Sequence, residues 1–236
     1  MSLELIILIG VIALAVLLCF LLAIANYAGE RFYEKYKEID KIEAWTDLMP
    51  LGYINKLNQE HFEGKIQVVQ ISTLAGDAYS KGKLFLSTNT INKNSLASYT
   101  IISHELGHAK QDRDGKKLKR LTVARKLGRF IGHLLFPFLI VGAVLLFFEN
   151  LFWIGVGALA GGGLIFLIAL VLKLITISIE KDASRNAIIF LKEVFDGKQL
   201  KTCKKFLKDA RLTYWADFLR ALFFWTAMSK KTKLFN

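Results

Sequence analysis

The stretch FIGHLLFPFLIVGAVLLFFENLFWIGVGALAGGGLIFLIALVL, residues 130–172, contains no Lys or Arg and one acidic residue, Glu149. A bilayer core about 30 Å thick takes about 20 helical residues to cross, so the block predicts two spans. Backbone outside a helix cannot be satisfied in hydrocarbon, which places the turn between the spans at Glu149-Asn150. Upstream, the run from Leu3 to Ala25 carries only Glu4 as a charge and is long enough for a third span. The composition agrees: 53% apolar residues and a mean hydropathy of +0.38 are too oily for an ordinary soluble domain. The expected fold is a mainly α membrane protein with three transmembrane helices and a small β element.

Charge sets the expected orientation. All 32 Lys and Arg fall between Arg31 and Arg129 or between Lys173 and Lys233. The positive-inside rule puts both basic regions in the cytoplasm and the N-terminus and the Glu149-Asn150 turn outside, which makes a multi-pass protein of the cell membrane. The expected organisation is an N-terminal span in 1–29, a cytoplasmic region in 30–129, a helical hairpin in 130–172 and a cytoplasmic helical region in 173–236. A net charge of +12 beside the spans reads as attraction to anionic lipid and gives no call for a nucleic-acid partner. Ala23-Ile24-Ala25 looks like a signal-peptide cleavage site, but no basic segment precedes the run and the run exceeds the usual 7 to 15 apolar residues. Cys19, in a span, and Cys203, in the basic C-terminal part, offer no disulfide framework.

Immediately upstream of the hairpin stands His104-Glu105-Leu106-Gly107-His108, an H-E-x-x-H pattern. On a helix its two imidazoles lie on one face and can grip one Zn²⁺, while the Glu activates a water carried by the metal, chemistry suited to peptide hydrolysis. Around it, residues 66–71 (IQVVQI) and 83–87 (KLFLS) predict strands separated by turn material with Gly76, Asp77 and Gly82. Asn94 or Ser95 predicts the N-cap of the motif helix, which should end before Gly115. The region is therefore expected to be a zincin-like catalytic region.

A catalytic zinc usually takes three protein ligands plus water. His61 and His133 are candidates for the third, but Glu180, in Ile179-Glu180-Lys181-Asp182-Ala183-Ser184, is the strongest. It follows the third span closely, and a helix continuing past Lys173 would place it roughly 12 Å beyond the last apolar residue. The site would then lie close to the membrane surface.

These motifs together resemble the YugP-type membrane zinc metallopeptidases of bacteria, also described as neutral zinc metallopeptidases. The likeness rests on Leu86-Ser87, on His104-Glu105-Leu106-Gly107-His108-Ala109-Lys110-Gln111, on Glu180-Lys181-Asp182-Ala183-Ser184-Arg185-Asn186-Ala187 and on Leu212-Thr213-Tyr214. It implies zinc ligation by His104, His108 and Glu180 with Glu105 as catalytic base. A more distant group of membrane-embedded zinc peptidases has E-x-x-x-D as its second motif, whereas Ser184 stands where that Asp would fall. Asp182 is the residue expected to support the ligands from behind.

The expected activity is that of a membrane-bound zinc endopeptidase acting on peptides or membrane proteins at the cytoplasmic face. The alternative is a zinc-retaining protein that binds or chaperones membrane partners with little proteolysis. Tyr214 and Arg185 are candidate donors to the oxyanion, and the strand 83–87 offers an edge for an extended peptide. Gly157 and Gly161 form a G-x-x-x-G pair suited to close helix packing, Pro137 should kink its span, and 214–228 reads as an interfacial or core-packing helix. The terminal Lys230, Lys231 and Lys233 read as a solvated tail.

Overall fold

A computed structural model describes residues 3–72, 76–115 and 117–222. The first helix, α1 (Leu3–Asp40), is unbroken. Its first half is apolar and exposed at Val16, Leu17 and Phe20, while its second half is amphipathic, burying Ala25, Phe32 and Ile39 on every second turn. That face packs on the last helix, α7 (Gly197–Leu222), where Phe32 stacks on Phe206 with centroids 5.1 Å apart and Lys35 pairs with Asp209 at 2.5 Å.

Between them lies the main hydrophobic core. Helix α2 (Pro50–Phe62) starts on Pro50 and buries Tyr53, Ile54 and Leu57. Three strands follow, β1 (Gln67–Ile71), β2 (Ala78–Ser80) and β3 (Lys83–Ser87), in the order β1-β3-β2. The two expected strands pair in parallel, Gln67 opposite Lys83 through Ile71 opposite Ser87, while β2 pairs antiparallel to β3 with Ala78 opposite Phe85. β2 is three residues long, too short for alternation to reveal it in the sequence. Buried Asp77 then accepts the backbone N–H of Ser87 at 2.6 Å and the hydroxyl of Thr90 at 2.8 Å, holding β3 to the short helix α3 (Thr88–Asn92).

Ser95 is the N-cap of α4 (Leu96–Arg113), its Oγ accepting the Ser98 N–H. The expected boundaries therefore stand at both ends. Every residue from Leu96 to Ala109 is buried, because α4 runs through the middle of the core with Tyr53, Leu84, Leu86, Phe190 and Leu207 around it.

The apolar hairpin is α5 (Lys117–Leu145), a 3-10 turn at Glu149–Leu151 and α6 (Phe152–Leu191). The turn falls where Glu149-Asn150 predicted it, and Pro137 lies inside α5 without ending it. Two helical segments, Lys117–Leu145 and Glu149–Leu191, are long and apolar enough to cross a membrane among the described residues. This corrects the expected count of three. The run 3–25 is not one of these two segments; it is the first part of α1, which continues for about four more turns into the charged sequence joined to α7, and several of its side chains lie outside the described residues. Large apolar side chains on the hairpin stay exposed, Phe130, Trp153 and Leu164 among them. Close packing in the hairpin comes at Gly142, Gly155 and one member of the G-x-x-x-G pair: a Cβ on Gly155 would lie 2.9 Å from the Gly142 carbonyl oxygen and one on Gly161 3.3 Å from the Phe138 ring, whereas nothing lies within 4 Å of one on Gly157. The expected helix 214–228 is the end of α7 as far as Leu222; the rest of it and Lys230, Lys231 and Lys233 lie outside the described residues.

Candidate metal centre

Residues four apart on a helix share a face, and α4 turns that face toward α6. The approach is close enough to require a glycine. A Cβ on Gly107 would lie 2.4 Å from the carbonyl oxygen of Ala183. Because α6 runs on past its apolar part to Leu191, it carries Glu180 to this crossing, as continuity of the third apolar run predicted.

His104, His108 and Glu180 are all buried and offer ligand atoms within 4.8 Å of one another. Glu180 Oε2 lies 3.3 Å from His104 Nε2 and 3.4 Å from His108 Nε2. Ligands at 2.0–2.1 Å from a tetrahedral zinc are separated by about 3.3–3.4 Å, so each histidine nitrogen already stands from Glu180 Oε2 at the spacing one metal would set. Two neutral imidazoles and a carboxylate are a donor set suited to zinc.

The supports are specific. His108 Nδ1 lies 3.0 Å from Gln111 Oε1, and Gln111 Nε2 donates to the Ile179 carbonyl at 2.8 Å and to Asp182 Oδ2 at 2.9 Å. With both amide protons committed to acceptors, Oε1 must accept from Nδ1–H, which leaves the Nε2 lone pair facing Glu180. Asp182, tied also to Lys117 at 2.9 Å, thus acts on His108 through Gln111. Tyr214 donates its hydroxyl to Glu180 Oε2 at 2.7 Å, and Arg125 Nη2 donates to the other oxygen, Oε1.

Glu105 lies beside this cluster, accepting the backbone N–H of Tyr79 in β2 at 2.8 Å. Burial raises its carboxyl pKa above the ordinary value, against the attraction of His108 and His104. Burial also works against charge on His108, but Glu180 outweighs it and raises that pKa. Tyr214 is pushed well up, chiefly by burial and then by Glu180, so its hydroxyl keeps its proton. A carboxylate ready to take a proton next to a preformed metal cage is the equipment for hydrolysis.

Other expectations end elsewhere. His61 pairs with Glu193 at 2.9 Å and is not at the cluster. His133 is exposed on α5, and Arg185 is exposed and acts by its charge on Asp182. The strand 83–87 offers no edge, because β3 is hydrogen-bonded on both sides; β2 borders Glu105 instead. Sequence reasoning missed Arg125, and it quoted Gln111 without assigning it a role. Gln111 was reachable, since a residue three beyond a motif histidine shares its face.

No curated protein and no solved structure matches the chain. A family described as "putative neutral zinc metallopeptidase" matches residues 10–229, and the description names the metal that the donor set suits. The chain belongs to this family.

Proposed function

We propose that the protein is a membrane-bound, zinc-dependent endopeptidase that cleaves peptides or membrane proteins near the cytoplasmic membrane surface. The observation that carries this is the buried cluster of His104, His108 and Glu180, whose ligand atoms lie within 4.8 Å of one another, with Glu105 beside it. A zinc held there supplies Lewis acidity, polarising a peptide carbonyl and easing deprotonation of water. Glu105 takes the proton and passes it to the departing amine. Tyr214, a buried hydroxyl that keeps its proton and sits on Glu180 at 2.7 Å, would supply the further donor that the oxyanion needs. An extended peptide pairs with the edge of β2, the strand bordering Glu105. The motif helix set against a small sheet supports a zincin-like reading of this region.

The cytoplasmic placement is supported by the confinement of every Lys and Arg to the two regions outside the hairpin block. The position of Glu180 on the continuation of α6 supports a site close to lipid, which suits substrates embedded in or emerging from the bilayer.

Metal content measured by mass spectrometry on detergent-purified protein tests the ligand set. The expected result is one zinc per chain in the wild type and its loss in His104→Ala and Glu180→Ala. Glu105→Gln should retain the metal and lose about 10²–10⁴-fold in peptide hydrolysis. A second reading, a zinc-retaining binder with little proteolysis, is favoured by the burial of Glu105 and all three ligand residues; unchanged biological activity in Glu105→Gln would select it.

A further inference from the structure

The two oxygens of Glu180 have different partners. Oε2 faces both histidines and receives the Tyr214 hydroxyl, while Oε1 is taken by Arg125 Nη2. Glu180 is fully buried and Arg125 is partly exposed, reaching in from α5 beside the buried Leu121 and Ala124. A charge-assisted bond to a buried carboxylate oxygen is strong and directional. Turning Glu180 so that both oxygens face the imidazoles would break that bond.

Resting on the metal-centre reading, we infer that Arg125 is a positioning residue that holds Glu180 to a single ligating oxygen and so keeps one coordination position beside Glu105 open. A carboxylate that offers both oxygens fills the place that water or the scissile carbonyl needs, and catalytic zinc sites depend on that open place. The partners of ligating groups commonly set metal affinity in this way. Arg125 is anchored in the helix that enters the apolar block at Phe130 and packs along α6. The same side chain therefore ties the apolar hairpin to the geometry of the metal ligand.

The test uses full-length protein in detergent, stripped of metal and titrated with Co²⁺, whose visible absorption is intense in four-coordinate sites and weak in five-coordinate ones. Wild type is expected to bind one Co²⁺ with the intense spectrum. Arg125→Gln, which removes the charge, is expected to give the weak five-coordinate spectrum and at least a tenfold loss of Co²⁺ affinity; Arg125→Lys, which restores a cation at Oε1, is expected to keep the wild-type spectrum. A wild-type spectrum and affinity in Arg125→Gln overturns the inference, as does a five-coordinate spectrum in Arg125→Lys, the arm that decides should the Gln variant fail to fold. Absence of Co²⁺ binding by the wild type overturns the metal reading and this inference with it. Normal wild-type binding with unaffected variants overturns the inference alone.

Discussion

Gly107 and Ala183 meet where α4 crosses α6, with the space a Cβ would fill on Gly107 lying 2.4 Å from the Ala183 carbonyl oxygen. The contact is to backbone and cannot relax by a side-chain rotation. One methyl group must therefore push the helices apart, carrying Glu180 away from His104 and His108. Gly107→Ala is expected to lower stability by about 1–3 kcal/mol, as overpacking does, and to weaken zinc retention even though every ligand is intact. Metal content and thermal unfolding of the same preparation check both effects. Full zinc retention would mean that the crossing distance does not govern the site.

Gln111 offers a separate handle on one histidine. Its side chain fixes the His108 tautomer while its amide protons bind Ile179 and Asp182. Gln111→Ala is expected to leave the ligand set complete yet lower zinc affinity about 10–100-fold, the usual cost of losing such a partner. Competition against a chelator of known affinity reads this directly, and Asp182→Ala should show a smaller loss because it reaches His108 only through Gln111.

The parts of the fold legible in the sequence were those with a long period or a hard boundary. The hairpin turn at Glu149-Asn150, the Ser95 cap and the continuation of α6 to Glu180 follow from hydrocarbon thickness, capping chemistry and helical continuity. β2 was not legible, since three residues carry no period, and its insertion beside β3 is why β3 has no free edge. Arg125 was not legible either. It stands in a basic run with Lys119, Arg120 and Lys126, and only the helical phase set by buried Leu121 and Ala124 distinguishes it from neighbours that stay in solvent. Composition pointed to apolar helices, but it did not reveal that the first apolar run continues into a helix that packs on α7 and serves the core.

Tyr214 should matter more to the metal-free protein than to the metal-loaded one. Without metal its hydroxyl donates to Glu180 Oε2, and losing a donor to a buried acceptor costs about 1–3 kcal/mol. With metal bound, Oε2 has another partner. Tyr214→Phe is expected to destabilise the chelator-treated protein by that amount and the zinc-loaded protein by less, with zinc stoichiometry unchanged. Thermal unfolding with and without zinc measures the difference, and an equal loss in both states would sink the assignment.

Glu105 gives the last expectation, in the pH dependence of stability. Its folded pKa is raised by burial above the ordinary value of 4.5. An acid with a raised folded pKa contributes stability that is fully present below its unfolded pKa and is lost as pH rises through the folded one. Glu105→Gln does not titrate and keeps an oxygen to accept the Tyr79 N–H. In chelator-treated protein the variant should therefore gain stability relative to wild type as pH climbs above about 4.5, reaching a plateau once Glu105 is fully ionised. Zinc reverses the sense of the local field, because a nearby cation favours the carboxylate, and the gain should shrink or vanish in the loaded protein. Denaturant unfolding of both proteins across this pH range, with and without metal, checks the sign; a variant that loses relative stability as pH rises would show that the buried carboxylate is held by its partners rather than opposed by its surroundings.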